Sequence, residues 1–288
     1  MMSEAIIKTR QSGQSGMGDF KRGRVAMVCL LVLATYLVVA IFADNIALSD
    51  PMKTSSLTLQ PPSLKFPFGT DDLGRDILSG VVHGARNSMM IGLTVAVLSC
   101  LIGAGIGMIA GYAGGWLDDV LMRFTELFLT PPRFFLALVI VAIFGSSFTN
   151  LIVLLSLTFW PITARLIRAE TLAIKQRDFV LAARALGSSH ARILRREIFP
   201  HLWPLLITNT VVRVGGVILL EAGLEFLGLG DQSRMTWGYL LHNGQHFMRD
   251  AWWMVVFPVL AISLLLIAIN VAGDELNRLL SPKMSDIR

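Results

Sequence analysis

The sequence predicts an all-α membrane protein with six transmembrane helices. Of its 288 residues, 54% are hydrophobic and only 16% are charged, which is too few charges to cover the surface of a soluble chain of this length. The hydrophobic residues also form several runs of about 20 residues, the length that an α-helix needs to cross a bilayer. These two observations exclude a soluble globular class.

The predicted spans follow one another along the chain with polar segments between them. They cover residues 25–42, 88–112, 120–144, 150–167, 202–227 and 252–273. The first could instead be a signal peptide, because such peptides also begin with a basic tail and an apolar run, but this run is long and further spans follow it. Pro131 and Pro132 must break or kink the third span, since proline removes a backbone donor.

Lysine and arginine are distributed unequally between the two sides that six spans create. The two tails and the segment between the fourth and fifth spans are rich in both, and positive residues favour the cytoplasm. The basic excess of the chain therefore indicates topology rather than a nucleic-acid surface. We expect cytoplasmic tails over residues 1–24 and 276–288, a first helix with an external segment over 25–87, and a membrane core over 88–275.

No segment has the pattern of a phosphate-binding loop, G-x-x-x-x-G-K-[ST]. Gly103, Gly107 and Gly111 lie at four-residue spacing inside the second span, a pattern typical of close helix packing rather than of nucleotide binding. The chain is therefore predicted to be no ATPase by itself and to hold no cofactor.

The basic segment over residues 168–201 is too long to be a simple connection between two spans. Asp178 is suited to cap a short helix and Gly187 to end it. The apolar side chains between them recur at three- and four-residue steps: Phe179, Ala182, Ala183 and Leu186. Such a helix could enter a cleft on a partner protein or lie on an anionic membrane surface, and the spacing fits both.

This segment resembles the cytoplasmic "EAA" loop in the permease subunits of binding-protein-dependent ABC importers. The family pattern is Glu-Ala-Ala, three residues, Gly, and a Pro thirteen residues after that Gly. The chain has Ala182, Ala183, Gly187 and Pro200 at this spacing, whereas Leu181 stands at the position of the glutamate. In the family the loop docks in a groove of the ATPase subunit, so the resemblance implies a coupling helix that includes Asp178 and Phe179.

Further motifs resemble the smaller, "C-type" permease of the dipeptide, oligopeptide and nickel importers. They are Phe68–Asp76 with Gly84–Arg86, Trp160 with Arg165 and Arg168, Phe226–Gly230, Trp237–Gly238, and Asn270 with Gly273–Asp274. The resemblance implies a type I ABC importer permease fold in the bacterial inner membrane, with both termini in the cytoplasm. The implied partners are a second permease, one or two ATPase subunits that bind ATP and Mg²⁺, and a periplasmic solute-binding protein.

Charged residues within the predicted spans are candidates for the substrate pathway. Glu221 and Glu225 are four residues apart and face the same way, and charges inside a membrane normally face protein or water. The family usually has glutamate at the first position but serine at the second, so Glu225 could favour a cationic substrate. Alternatively, both carboxylates lie near the external end and are solvated. Arg213 and Arg133 could line the pathway or brace a partner subunit.

His242 and His246 are also four residues apart, in the predicted external segment. A metal ion can bridge two histidines at this spacing on a helix. Imidazoles at a wet surface need no ligand, however, and a pore must release what it binds. We therefore assign no metal and keep the pair as a candidate only.

The predicted function is that of a permease subunit that translocates a small solute and performs no covalent chemistry. An intramembrane protease would need catalytic groups such as paired aspartates or a His-Glu-x-x-His helix, which the spans lack. A secondary transporter would have broken helices in a repeated arrangement, and only one proline break is visible. Relatives carry peptides, nickel, metallophores, glutathione or opines, and the sequence does not distinguish among these substrates.

Overall fold

The computed structural model describes residues 24–280, so most of both predicted tails, residues 1–23 and 281–288, lies outside the described part. This part is almost entirely helical. In chain order its α-helices are α1 (Arg24–Ile41), α2 (Ala43–Ile46), α3 (Ile77–Ala113), α4 (Gly115–Leu129), α5 (Arg133–Phe144), α6 (Phe148–Lys175), α7 (Asp178–Ala185), α8 (His190–Phe226), α9 (Trp237–Gly244) and α10 (Trp253–Leu280).

Five of these helices are long and apolar enough to cross a membrane: α1, α3, α6, α8 and α10. The pair α4–α5 makes a sixth span if it is counted as one bent helix, which agrees with the six predicted spans. The two helices meet at an angle of 82°, at the Pro131–Pro132 pair. Neither proline can donate a backbone hydrogen bond, so the predicted break is confirmed.

Four spanning helices are longer than predicted. Helix α3 begins at Ile77 rather than at residue 88, and α8 begins at His190 rather than at 202. Helix α6 continues to Lys175 rather than ending at 167, and α10 continues to Leu280 rather than ending at 273. Hydrophobicity marks only the part of a helix that lies in hydrocarbon, whereas polar turns continue the helix beyond it. The predicted loop over residues 168–201 is consequently mostly helix, made of the end of α6, all of α7 and the start of α8.

Helices α3 and α6 approach each other closely along the predicted glycine stripe. A Cβ atom at Gly103 would lie 2.6 Å from the carbonyl oxygen of Trp160, and one at Gly111 would lie 2.7 Å from the carbonyl oxygen of Arg168. Such distances leave no room for any side chain, so the packing role predicted for these glycines is confirmed.

Residues 47–76 fold over one end of the bundle, which we call the capped end. Asp76 caps α3 by accepting a hydrogen bond from the Ser79 backbone N–H at 2.9 Å. Arg75 donates to Asp71 at 2.5 Å and to the Tyr239 hydroxyl at 2.8 Å. The motif over Phe68–Asp76 is therefore a buried polar clasp that joins the start of α3 to α9.

The opposite end of the bundle, which we call the basic end, carries α7 and the arginines around it. Buried side chains fill the molecule from one end to the other: around Trp237 and Trp253 at the capped end, around Leu155 in the middle, and around Ile193 and Val180 at the basic end. Helix α7 thus has a packed core beneath it and is not a free loop.

Candidate functional site

Helix α7 ends where the sequence predicts and begins one residue earlier than expected. Its N-cap residue is Arg177, and Asp178, the predicted cap, lies in the first turn, where its charge still favours the helix dipole. At the other end Gly187 has φ +74°, a left-handed conformation that glycine adopts without strain. The Ser188 N–H donates to the Ala183 carbonyl at 3.1 Å and the Gly187 N–H to the Arg184 carbonyl at 3.0 Å, which is a Schellman motif.

The inner face of α7 is centred on a residue that the predicted face omitted. Val180 is completely buried in the core at the basic end, and Phe179 and Ala183 pack against the same core. Phe179 also stacks on the ring of His201, with 4.8 Å between the ring centroids. The predicted single face is therefore divided, because the packed side consists of Phe179, Val180 and Ala183, while Ala182 and Leu186 point away.

The outer face of α7 is apolar and uncovered within the described chain. Leu181 is 47% exposed and Leu186 is 86% exposed, and Ala182 and Ala185 between them are exposed as well. Contiguous apolar side chains at a polar end of a protein indicate a contact surface. Leu181, which replaces the family glutamate, lies in this surface and adds to its apolar area.

Hydrogen bonds connect the α7 region to the membrane helices. The Tyr112 hydroxyl at the end of α3 is 2.8 Å from Nδ1 of His190, the first residue of α8. Lys175 donates to the Tyr112 carbonyl at 2.6 Å, and the Arg184 guanidinium lies 5.9 Å from the centre of the Tyr112 ring. Helix α7 thus contacts this junction of α3, α6 and α8 through Arg184 and through the core around Val180.

Pro200 lies just after an irregular turn in α8. Residues Ile193–Ile198 form a π-helical turn, and Pro200 has no backbone N–H with which to continue a regular helix. Both Ile193 and Ile198 are fully buried beside Val180. The glycine and proline of the family pattern thus correspond to the end of α7 and to the irregular entry into α8.

Glu221 and Glu225 lie together beneath α9 at the capped end. They are 0% and 2% exposed, respectively. Ser88 donates to Glu221 Oε1 at 3.3 Å, and the Thr236 hydroxyl donates to Glu225 Oε2. A Cβ atom at Gly238 would lie 2.6 Å from the Glu225 Cβ. The alternative in which both carboxylates are solvated is therefore wrong, since α9 covers them.

Arg213 and Arg133 lie near each other in the middle of the bundle. Arg213 donates to the Phe159 carbonyl at 2.8 Å and to Asn209 Oδ1 at 2.8 Å. The Arg133 guanidinium lies over the Phe159 ring, 4.9 Å from its centre. Both arginines thus meet at Phe159, on the side of α6 that faces α5 and α8.

His242 and His246 lie on α9 and on the 3₁₀ turn Gln245–Phe247 that follows it. Their rings are packed edge to face with 6.1 Å between centroids, and His242 Nδ1 is 2.9 Å from the Phe226 carbonyl oxygen. Within residues 24–280, no group of three or more His, Cys, Asp or Glu side chains is placed to hold a metal ion.

Some contacts at the basic end had no signal in the sequence analysis. The most direct is the pair of Arg168 and Asp118, which joins α6 to α4 through two hydrogen bonds of 2.5 Å and 2.7 Å. Tyr112 and His190 are 78 residues apart in sequence. Such pairs depend on how helices pack, which local periodicity does not reveal.

Comparison with known proteins agrees with this arrangement. The pattern of the family "Binding-protein-dependent transport system inner membrane component" matches residues 103–286. That of the "N-terminal TM domain of oligopeptide transport permease C" matches residues 14–62.

Two relatives show how far the similarity extends. A dipeptide transport system permease protein of Alkalihalophilus pseudofirmus is 36% identical over 92% of this chain and 88% of its own length. A putative peptide transport system permease protein of Brucella suis is 39% identical over 91% of this chain and 88% of its own length.

A solved structure supports the fold independently. A chain of the MetNI methionine ABC transporter, in an inward-facing conformation, matches with a TM-score of 0.61 at 16% identity, covering 71% of this chain and 98% of that one. The fold is that of a type I ABC importer permease. Together with the matched patterns, this shows that the chain belongs to the family of binding-protein-dependent transport system inner membrane components, and within it to the oligopeptide and dipeptide permease C group.

Proposed function

We propose that this chain is one of two permease subunits of an ATP-driven importer of short peptides. The observation that carries the proposal is the exposed apolar face of α7, on a helix whose inner side is packed against the ends of α3, α6 and α8. The relatives named above are described as dipeptide and peptide permeases, which favours peptides over nickel as the substrate.

The partners in this proposal follow from two features: the sequence has no phosphate-binding-loop pattern, and the outer face of α7 is apolar and exposed. An ATPase subunit receives the outer face of α7 in a groove and also holds ATP and Mg²⁺, so this chain needs no cofactor of its own. A second permease completes the pathway, and a periplasmic solute-binding protein delivers the peptide. The family description, which is binding-protein-dependent, supports the solute-binding protein, and the ABC transporter to which the solved chain belongs supports the ATPase.

The orientation in this proposal places the basic end in the cytoplasm. Lys175, Arg177, Arg184 and Arg192 all lie around α7, and positive residues favour the cytoplasmic side. Both termini are then cytoplasmic, and the capped end faces the periplasm of a bacterial inner membrane. Closure of the ATPase subunits would move α7 and, through Tyr112 and His190, open the pathway alternately to the two sides.

The experiment that tests the proposal is an uptake assay in cells that lack this chain and in cells that have it restored. Labelled dipeptide and labelled nickel are supplied in parallel, with and without depletion of ATP. We expect dipeptide uptake to depend on both the chain and ATP, and nickel uptake to depend on neither. Uptake of nickel alone would reject the peptide assignment, and ATP-independent uptake would reject the importer itself.

A further inference from the structure

Two arginines in the middle of the bundle converge on one aromatic ring. The guanidinium carbon of Arg133 lies 4.9 Å from the centre of the Phe159 ring, and that of Arg213 lies 5.8 Å from it. Arg213 is eight residues from Glu221 along α8, roughly 12 Å at the rise of an α-helix. The pair is therefore well inside the membrane-spanning part of the molecule.

The neighbours of Arg213 are polar but neutral. Its guanidinium donates to the Phe159 carbonyl at 2.8 Å and to Asn209 Oδ1 at 2.8 Å and 3.3 Å. Thr163 also donates to Asn209 Oδ1, at 3.2 Å. These contacts hold the guanidinium in place without supplying a negative charge.

Neither arginine has an acidic partner in residues 24–280. The ion pairs of this part of the chain involve other residues, and no hydrogen bond from the Arg133 side chain is formed there. The two positive charges are near enough to repel each other. A charge at this depth is costly and normally faces a partner or a water-filled path, so the site is complementary to an anion.

The two arginines differ in how firmly they are held. Arg213 is only 8% exposed and fixed by α6 and α8, whereas Arg133 is half-buried and begins α5 directly after the proline break. The unused donors of Arg133 are thus free to turn toward a passing group. A guanidinium binds a carboxylate through two parallel hydrogen bonds, more specifically than an ammonium group does.

We propose that Arg133 and Arg213 form a carboxylate-binding subsite of the translocation pathway, which takes the C-terminal carboxylate of the peptide in transit. This inference rests on the proposed function. The subsite lowers the free-energy barrier for a charged peptide end in the membrane interior. It also releases that end because, within the described chain, the Arg213 guanidinium is already hydrogen-bonded and only Arg133 of the two has all its donors unused.

The test uses the complete transporter in proteoliposomes with its binding protein and ATP inside. A dipeptide and its C-terminal amide are supplied at concentrations that saturate the binding protein with each. Arg133→Gln is compared with the unmodified chain and with Arg234→Gln. Arg234 is a matched control, because it too lies over a phenylalanine ring, 4.3 Å from the centre of Phe148, but belongs to the segment between α8 and α9.

We expect Arg133→Gln to slow transport of the dipeptide about tenfold, the loss of one charge-assisted hydrogen bond, and to leave the rate for the amide unchanged. Arg234→Gln should alter neither rate. Equal slowing of both peptides would overturn the subsite and make Arg133 structural. Loss of the second permease from the purified Arg133→Gln complex would also overturn it, since the arginine would then pair across that interface. If the unmodified complex carries neither peptide, the proposed function itself fails and the subsite with it.

Discussion

Glu221 and Glu225 are two acidic side chains of α8 that α9 covers at the capped end. Each has one carboxyl oxygen, Oε2 of Glu221 and Oε1 of Glu225, without a hydrogen-bond partner in the described chain. Two buried carboxylates side by side cannot both remain ionised without strong repulsion. We therefore interpret the pair as one that shares a proton and ties α8 to α3 and α9 through Ser88 and Thr236.

Replacement of Glu225 separates this structural role from a role in binding a cationic substrate. Glu225→Gln keeps an oxygen for the Thr236 hydroxyl and adds an N–H for Glu221, so we expect unchanged thermal stability and normal uptake. Glu225→Ala removes the acceptor of the Thr236 hydroxyl and the neighbour of the buried Glu221 Oε2, and it should cost about 1–3 kcal/mol of folding free energy. Thermal unfolding of the purified complex, together with peptide uptake, measures both effects. If Glu225→Gln abolished uptake while the protein stayed folded, the carboxylate would have to act on the substrate.

At the scale of elements, α7 shows which features of a helix can be predicted from its residues. Gly187 predicted the end of the helix correctly, because a left-handed residue at this position is a local requirement. The single apolar face was predicted only in part, because Phe179 and Ala183 pack inward whereas Ala182 and Leu186 are exposed. Periodicity alone does not decide which apolar neighbour points to the core. The burial of Val180 also changes which alanine is available to a partner, since Ala183 packs inward and Ala185 outward.

A charge on the outer face of α7 should uncouple transport without harming the fold. Ala185→Asp places a carboxylate in the exposed apolar surface. The carboxylate remains hydrated in this chain alone but would lose its water in an ATPase groove. We expect peptide uptake to be lost and the ATPase subunit to be missing from the purified complex, with normal amounts of the chain in the membrane. Ala173→Asp is the control, because Ala173 is an exposed alanine at the basic end of α6. Normal uptake by the Ala185→Asp protein would contradict the docking of α7.

At the scale of the whole molecule, the number of spans and the proline break could be predicted, whereas the contacts between distant segments could not. Hydrophobic length and the missing N–H groups of Pro131 and Pro132 are properties of neighbouring residues. The Glu221 site depends on Ser88, 133 residues away, and the clasp depends on Tyr239, 164 residues from Arg75. Such pairs exist only once the helices are packed, so Glu221 and Glu225 could be predicted as charges that face protein or water but not as the support of α9.

The orientation of the molecule in the membrane can be tested with two single cysteines. Leu64 lies in the segment that covers the capped end and is fully exposed, and Leu186 on α7 is 86% exposed. The native Cys29 and Cys100 are both buried at 7% exposure, so the unmodified chain serves as a control with little background labelling. We expect a membrane-impermeant maleimide to label Leu64→Cys in intact cells but Leu186→Cys only after the inner membrane is permeabilised. The reverse pattern would place α7 on the periplasmic side, where the ATPase subunit could not reach it. It would overturn the orientation and the coupling role together.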